Sequence, residues 1–268
     1  MGIPIYPVHL EDPLFQGFYD GLDAGELRIT ADAETGAAYT VLARKYRPRT
    51  FEDLIGQEAM VRTLTNAFAT GRIAHAFMLT GVRGVGKTTT ARIIAKGLNC
   101  IGPDGKGGPT TEPCGVCEQC KAIAEGRHVD VMEMDAASRT GVGDIREIIE
   151  SVHYRAASAR YKIYIIDEAH MVTNAGFNAL LKVVEEPPPH VKFIFATTEP
   201  DKVIGTIRSR THHYPFRLVP PSRLTEYLAT LCEREGVAAH VLIKMGVDLS
   251  KAREELLRIL SGSDDPAS

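Results

Sequence analysis

Eight consecutive residues, Gly81-Val82-Arg83-Gly84-Val85-Gly86-Lys87-Thr88, fit the phosphate-cradling pattern G-x-x-x-x-G-K-[ST] at every fixed position. Backbone N–H groups of a glycine-rich turn and of the helix N-terminus behind it converge on one point and favour an anion there. Lys87 is expected to reach the outer phosphates and the Thr88 hydroxyl to sit on Mg²⁺, with Thr89 continuing the cradle into the helix. The chemistry implied is the binding of a nucleoside triphosphate. A second constellation, Asp167-Glu168, ends the apolar run Ile163-Tyr-Ile-Ile166. An acid at the carboxyl end of a strand beside a phosphate loop offers the other Mg²⁺ contact, Asp167, and its neighbour Glu168 is placed to polarise an attacking water.

A third group is metal-binding in type. Cys100, Cys114, Cys117 and Cys120 follow the spacing C-x₁₃-C-x₂-C-x₂-C, and the gap Gly102-Pro-Asp-Gly-Lys-Gly-Gly-Pro109 is flexible enough to fold the first cysteine back on the others. Four thiolates suit tetrahedral Zn²⁺, and a site without an open position is structural. An iron–sulfur cluster competes, although no Cys-Pro follows Cys120, and unligated thiols are the remaining alternative. Cys232 stands alone in a helical pattern and reads as a small buried apolar residue.

The elements that must position these residues follow from apolar patterning. Ala76-Phe-Met-Leu-Thr80 reads as the strand entering the loop and residues 89–98 as the helix leaving it. Further strands are expected at Val129–Met134, Lys162–Ile166 and Lys192–Thr197, and helices at about 57–70, 143–158, 174–185 and 222–235. The helix 174–185 should stop before Pro187-Pro-Pro189, because a proline disfavours helical geometry in its predecessor. Continuous apolar strands alternating with helices indicate an α/β fold, a parallel sheet covered by helices on both faces.

The chain has 268 residues and a net charge of −3, which excludes coating nucleic acid by bulk charge. No apolar run approaches a membrane span, and the start Met1-Gly-Ile-Pro-Ile-Tyr-Pro7 lacks the pattern of a signal peptide, so a cytoplasmic protein is expected. Tyr6 at the sixth position argues against myristoylation of Gly2.

Taken in order, Ala43-Arg-Lys-Tyr-Arg-Pro48, Phe51-Glu-Asp-Leu-Ile-Gly-Gln-Glu58, Gly81 to Thr88, Asp167-Glu-Ala-His-Met171, Phe177-Asn-Ala-Leu-Leu-Lys182, Glu185-Glu-Pro-Pro188 and Ser209-Arg210 resemble the AAA+ clamp-loader ATPases, the gamma/tau subunits of bacterial DNA polymerase III, over about residues 39–236. The resemblance implies an AAA+ P-loop fold at 39–217 with ATP as nucleotide, a zinc module inserted at about 99–121, and a helical lid. It implies that Thr198 is the sensor of the γ-phosphate and that Arg210 is an arginine finger acting in trans on ATP held by a neighbouring subunit. Thr211 departs from the cysteine usual after Ser-Arg, and the first cysteine spacing is longer than in the family. The basic knot Arg44, Lys45, Arg47 and Arg49 is placed by the resemblance beside the adenine and at the subunit interface rather than on DNA. Partners implied are other clamp-loader subunits in a hetero-oligomeric ring, a sliding clamp and primer–template DNA.

Residues 1–38 carry no motif and read as a loosely structured extension. After Gly236 the resemblance ends: the lid is truncated and no collar domain follows, so 218–260 reads as a partial lid or a foreign helical segment and 261–268 as a tail. Residues 237–260 are similar to the end of the N-terminal domain of Clp-type unfoldases. The resulting expectation is an ATP-driven clamp-loading motor, with polymerisation left to another subunit. A second reading is an ATP-binding, zinc-bearing scaffold that does not turn over because lid and collar are missing. A third, a helicase, is suggested by Asp-Glu-Ala-His170, but it requires a second motor domain that the remaining length does not supply. His212 and His213 read as solvated or packed side chains.

Overall fold

Alternation along the strands decides which side chains meet which helices. The computed structural model describes residues 45–138 and 142–235, so the expectations for 1–38, for 237–260 and for the tail lie outside the described residues. Five strands, β1 (Ala76–Thr80), β2 (Val131–Asp135), β3 (Lys162–Asp167), β4 (Val191–Thr197) and β5 (His212–Pro215), form one parallel sheet in the order β2-β3-β4-β1-β5. All seven residues of the central strand β4 are buried. On one face Met78, Tyr164, Ile166, Phe193 and Phe195 pack against Ile145 and Ile148 of α4 (Val142–Val152) and Phe177, Leu180 and Val184 of α5 (Asn174–Glu185). On the other, Phe77, Leu79, Ile163, Ile165, Ile194 and Ala196 meet Met60, Leu64 and Phe68 of α1 (Glu58–Ala69) and Ile93, Ile94 and Leu98 of α2 (Lys87–Asn99). The period of two in the strands thus feeds two separate cores, one per face. Three further helices are α3 (Glu118–Ala124), the short α6 (Gly205–Arg208) and α7 (Pro221–Glu235).

Besides shifts of one or two residues at element ends, such as β2 beginning at Val131 rather than Val129, the structure differs from the reading of the sequence in three places. His212 and His213 begin β5, paired with Phe77 and Met78, and so are strand residues at the sheet edge. A helix, α3, lies inside the cysteine insert and carries Cys120. The helix expected to reach residue 158 stops at Val152. Its continuation turns instead around the Asp130 carboxylate, which accepts the backbone N–H groups of Ala157 (2.7 Å), Ser158 (2.8 Å) and Ala159 (2.9 Å). An acceptor able to satisfy three consecutive N–H groups competes with helical hydrogen bonding.

Asp130 is almost fully buried, so its removal leaves those donors without partners. Asp130→Ala is expected to lower the unfolding free energy by about 2–3 kcal/mol, read from urea denaturation. Burial pushes the Asp130 carboxyl up, but the three N–H donors outweigh it and hold the group below the usual carboxylate range. A depressed folded pKa gives stability that is present above the unfolded carboxyl value, about pH 4, and is lost as pH falls through the folded one. The gap between wild type and Asp130→Ala should therefore close in acid.

Candidate functional site

The phosphate loop joins β1 to α2, and its backbone takes positive φ at Gly81, Gly84 and Gly86. Gly86 precedes α2 with φ 98°, a left-handed conformation that starts the helix directly behind the loop. Gly81 has φ 150°, and a Cβ there would stand 2.9 Å from the Cβ of Phe216. The loop is also stitched to its neighbours in the sheet: Gly81 N–H donates to the Thr197 carbonyl (3.3 Å) and Phe216 N–H to that of Thr80 (2.7 Å). Val82, Arg83 and Gly84 are exposed at its tip, Val85 and Gly86 are half-buried, and Thr88 and Thr89 begin the helix half-buried. Lys87 is 5 % exposed and its ammonium donates to the carbonyls of Gly81 (2.9 Å) and Val82 (3.0 Å). Burial pushes the Lys87 amine down, and the negative charges of Glu168 and Asp167 partly offset this.

Asp167 ends β3 and Glu168 follows it. Thr88 Oγ1 donates to Asp167 Oδ2 at 2.5 Å, which brings loop and acid to one point. The other oxygen of Asp167 accepts the Glu168 N–H (2.9 Å), fixing the carboxylate at both ends. A hydroxyl and a carboxylate together are the hard oxygen donors that Mg²⁺ takes. Glu168 has φ 47° and ψ 45°, alone among the described non-glycine residues in a positive-φ conformation. Such a backbone costs of order 1–3 kcal/mol and is found where function fixes a side chain. Thr198, just beyond β4, approaches Glu168 Oε2 with its hydroxyl at 3.5 Å. The sheet order makes this possible, because β4 lies between β1 and β3.

Arg210 stands apart from this cluster. Its guanidinium pairs with Glu185 at the end of α5 (2.6 Å) and donates to the Thr206 carbonyl (2.9 Å), leaving the side chain 37 % exposed. Arg44 lies outside the described residues, whereas the Arg49 backbone is committed, donating to Asp53 (2.8 Å) and accepting from Lys96. Sequence reading passed over His170, Thr197 and Glu199 as site residues. His170 Nδ1 lies 3.0 Å from Thr197 Oγ1, and its Nε2 lies 3.5 Å from Glu199 Oε1.

The four cysteines converge. Their sulfurs all lie within 4.8 Å of one another, with Cys100, Cys117 and Cys120 buried and Cys114 half-buried. Zn–S bonds of about 2.3 Å put tetrahedral sulfurs about 3.8 Å apart, so small adjustments close this set on one ion. Backbone N–H groups point at the sulfurs, from Gly102 and Cys114 to Cys100 and from Cys117 to Cys114, each at 3.4 Å. Burial raises the Cys114 thiol, but the N–H groups of Cys117 and Val116 outweigh it and bring it down to about 7, while burial pushes Cys120 up. The insert is held to the sheet layer by Arg160, which donates to the carbonyls of Leu98 (2.6 Å) and Gly107 (2.8 Å). Asn99 and Tyr161 add a reciprocal pair of hydrogen bonds, both 2.9 Å.

A glycine loop after the first strand, acids ending and following the third and polar residues ending an interposed fourth define a P-loop nucleotide-binding fold. The family model described as DNA polymerase III, delta subunit, matches residues 56–220. The chain is 56% identical over 198 residues to the DNA polymerase III subunit gamma/tau of Mycobacterium bovis, covering 73% of this chain and 33% of that protein. It is 48% identical over 201 residues to the subunit tau of Escherichia coli, covering 75% and 30%. The chain belongs to the DNA polymerase III delta-subunit family and is similar to gamma/tau subunits. It spans about a third of the length of these relatives. Among solved structures it is similar to the Thermotoga maritima RuvB Holliday junction branch migration motor, at a TM-score of 0.49 and 19% identity over 72% of this chain and 55% of that one. Among the described residues, no helix is long and apolar enough to cross a membrane.

Proposed function

We propose that this chain is an ATP-hydrolysing motor subunit of a cytoplasmic clamp loader. It would bind ATP with Mg²⁺ at Gly81–Thr89 as one member of a hetero-oligomeric ring that opens a sliding clamp and sets it on primed DNA. The observation that carries this reading is the 2.5 Å contact of Thr88 with Asp167, which joins the phosphate loop to the acid strand and leaves Glu168 beside both. Thr88 and Asp167 would hold Mg²⁺, which would neutralise charge at the phosphoryl oxygens. Lys87 contributes a fixed positive charge at the loop, and the α2 N-terminus orients N–H groups toward the same anion. Glu168 orients water and accepts its proton as the phosphorus–oxygen bond forms, while ADP departs in line. Thr198 supports Glu168 from just beyond β4.

The exposed Arg210, whose side-chain contacts are with Glu185, Thr206 and Ser209, fits a finger offered to a neighbour's nucleotide, a contribution of about 10³-fold or more. The cysteine module is proposed to hold one structural Zn²⁺, and DNA synthesis is assigned to a different subunit. The test is steady-state ATP turnover by the chain with its partner subunits, sliding clamp and primed DNA. Turnover stimulated by clamp and DNA, and lost with Arg210→Ala, is expected. Background turnover that clamp and DNA leave unchanged would overturn the motor reading in favour of a scaffold.

A further inference from the structure

One imidazole bridges the ends of β3 and β4. His170 lies in the short 3₁₀ turn Ala169–Met171 that follows Glu168, with its side chain 9 % exposed. Its Nδ1 stands 3.0 Å from Thr197 Oγ1 and 3.6 Å from Glu168 Oε2, while Nε2 faces Glu199 Oε1 at 3.5 Å. Thr197 is itself immobilised: it is fully buried, and its hydroxyl accepts the Glu199 N–H at 3.0 Å. The Thr197 contact is a hydrogen bond and sets where the ring sits. The two carboxylate approaches exceed direct hydrogen-bonding distance but act through space in a partly buried setting. A ring held from β4 therefore presents a nitrogen to the Glu168 carboxylate just after β3.

Glu168 needs such support. A left-handed glutamate persists only where its surroundings over-determine it. Within the turn, Met171 N–H donates to the Glu168 carbonyl (2.8 Å), which fixes the backbone but not the carboxylate. The carboxylate has two neighbours at its Oε2, Thr198 and His170, and both are anchored in or beside β4.

We propose that His170 is a positioning residue that couples the turn at residues 197–199 to the Glu168 carboxylate, so that a shift in that turn re-aims the group that orients water. The proposal rests on the reading of Glu168 given above. Phenylalanine at 170 keeps the ring volume and removes both nitrogens, whereas asparagine keeps a donor near the place of Nδ1. In the full chain assembled with its partner subunits, His170→Phe is expected to lower kcat by about 10- to 100-fold with ATP affinity changed less than about threefold, and His170→Asn to recover most of the loss. Wild-type turnover in His170→Phe would overturn the proposal, and so would a loss that His170→Asn does not rescue.

If wild type hydrolyses no faster than Glu168→Gln, the catalytic reading of Glu168 fails separately. The coupling is then read from the ring-nitrogen NMR signals of His170 in Glu168→Gln and Glu199→Gln. Signals that move in both variants support it, and signals that respond to neither overturn it.

Discussion

Glu168→Gln is expected to lower ATP turnover by about 10²- to 10⁴-fold while ATP still binds within a few-fold of wild type. The amide matches the carboxylate in shape and cannot accept the proton of an attacking water. The groups proposed to hold phosphate are untouched: Lys87 keeps its two loop carbonyls and Thr88 its contact with Asp167. Single-turnover hydrolysis and the affinity for a fluorescent ATP analogue separate the two effects, and near-wild-type turnover in Glu168→Gln would sink the assignment. Glu168→Gly sharpens the test. Glycine adopts φ 47° without strain, so this variant should lose turnover as fully as Glu168→Gln yet unfold no more easily, and by the backbone term alone about 1 kcal/mol less easily. A residue kept for packing would show the opposite pattern, falling stability with turnover retained.

Local signals made most of this site legible. The phosphate loop, the acids after an apolar strand and the helix stop before Pro187 each depend on residues close together in sequence, and α5 ends at Glu185 as its prolines dictate. Strand positions were readable because a buried parallel strand must be apolar on both faces. What escaped reading depends on distant partners. The end of α4 is set by Asp130, more than twenty residues away, whose carboxylate gathers the N–H groups of 157–159. Gln57 looked like one letter of a family motif, yet its amide exchanges two hydrogen bonds with the backbone of Arg217 across 160 positions. Nothing in Asp-Glu-Ala-His170 shows that Thr197 and Glu199 arrive beside the imidazole. β5 was missed since His212-His213-Tyr214-Pro215 at a sheet edge has one buried side chain and no apolar run. The insert was legible in its cysteines, but the ties through Arg160 and Asn99 were not, being charge and amide contacts without periodicity.

Cys117→Ala is expected to abolish zinc retention and loosen residues 100–120 without unfolding the sheet. Cys117 serves the module twice: its sulfur is one of the four that converge, and it caps α3 by accepting the Cys120 N–H at 3.5 Å. With three thiolates left, the site has an open position and a frayed helix start. Structural zinc in small peptides is worth about 10–16 kcal/mol of apparent binding free energy at neutral pH, so even a part of that exceeds what the insert's few apolar side chains supply. The loss should stay local, since the cores on either face of the sheet contain no residue of 100–120 and only Ile123 from α3. Elemental analysis should give one zinc per wild-type chain and none in Cys117→Ala, and limited proteolysis should cut the variant at the glycine-rich segment 102–109 while the rest resists. Cys232→Ala is the control, because that thiol is buried in α7 away from the cluster and should change neither metal content nor cleavage. Iron in place of zinc, or no metal in wild type, would overturn the assignment. Full-length unfolding of Cys117→Ala would instead mean that the contacts of Arg160 and of Asn99 with Tyr161 transmit the module's order to the segment that leads into β3.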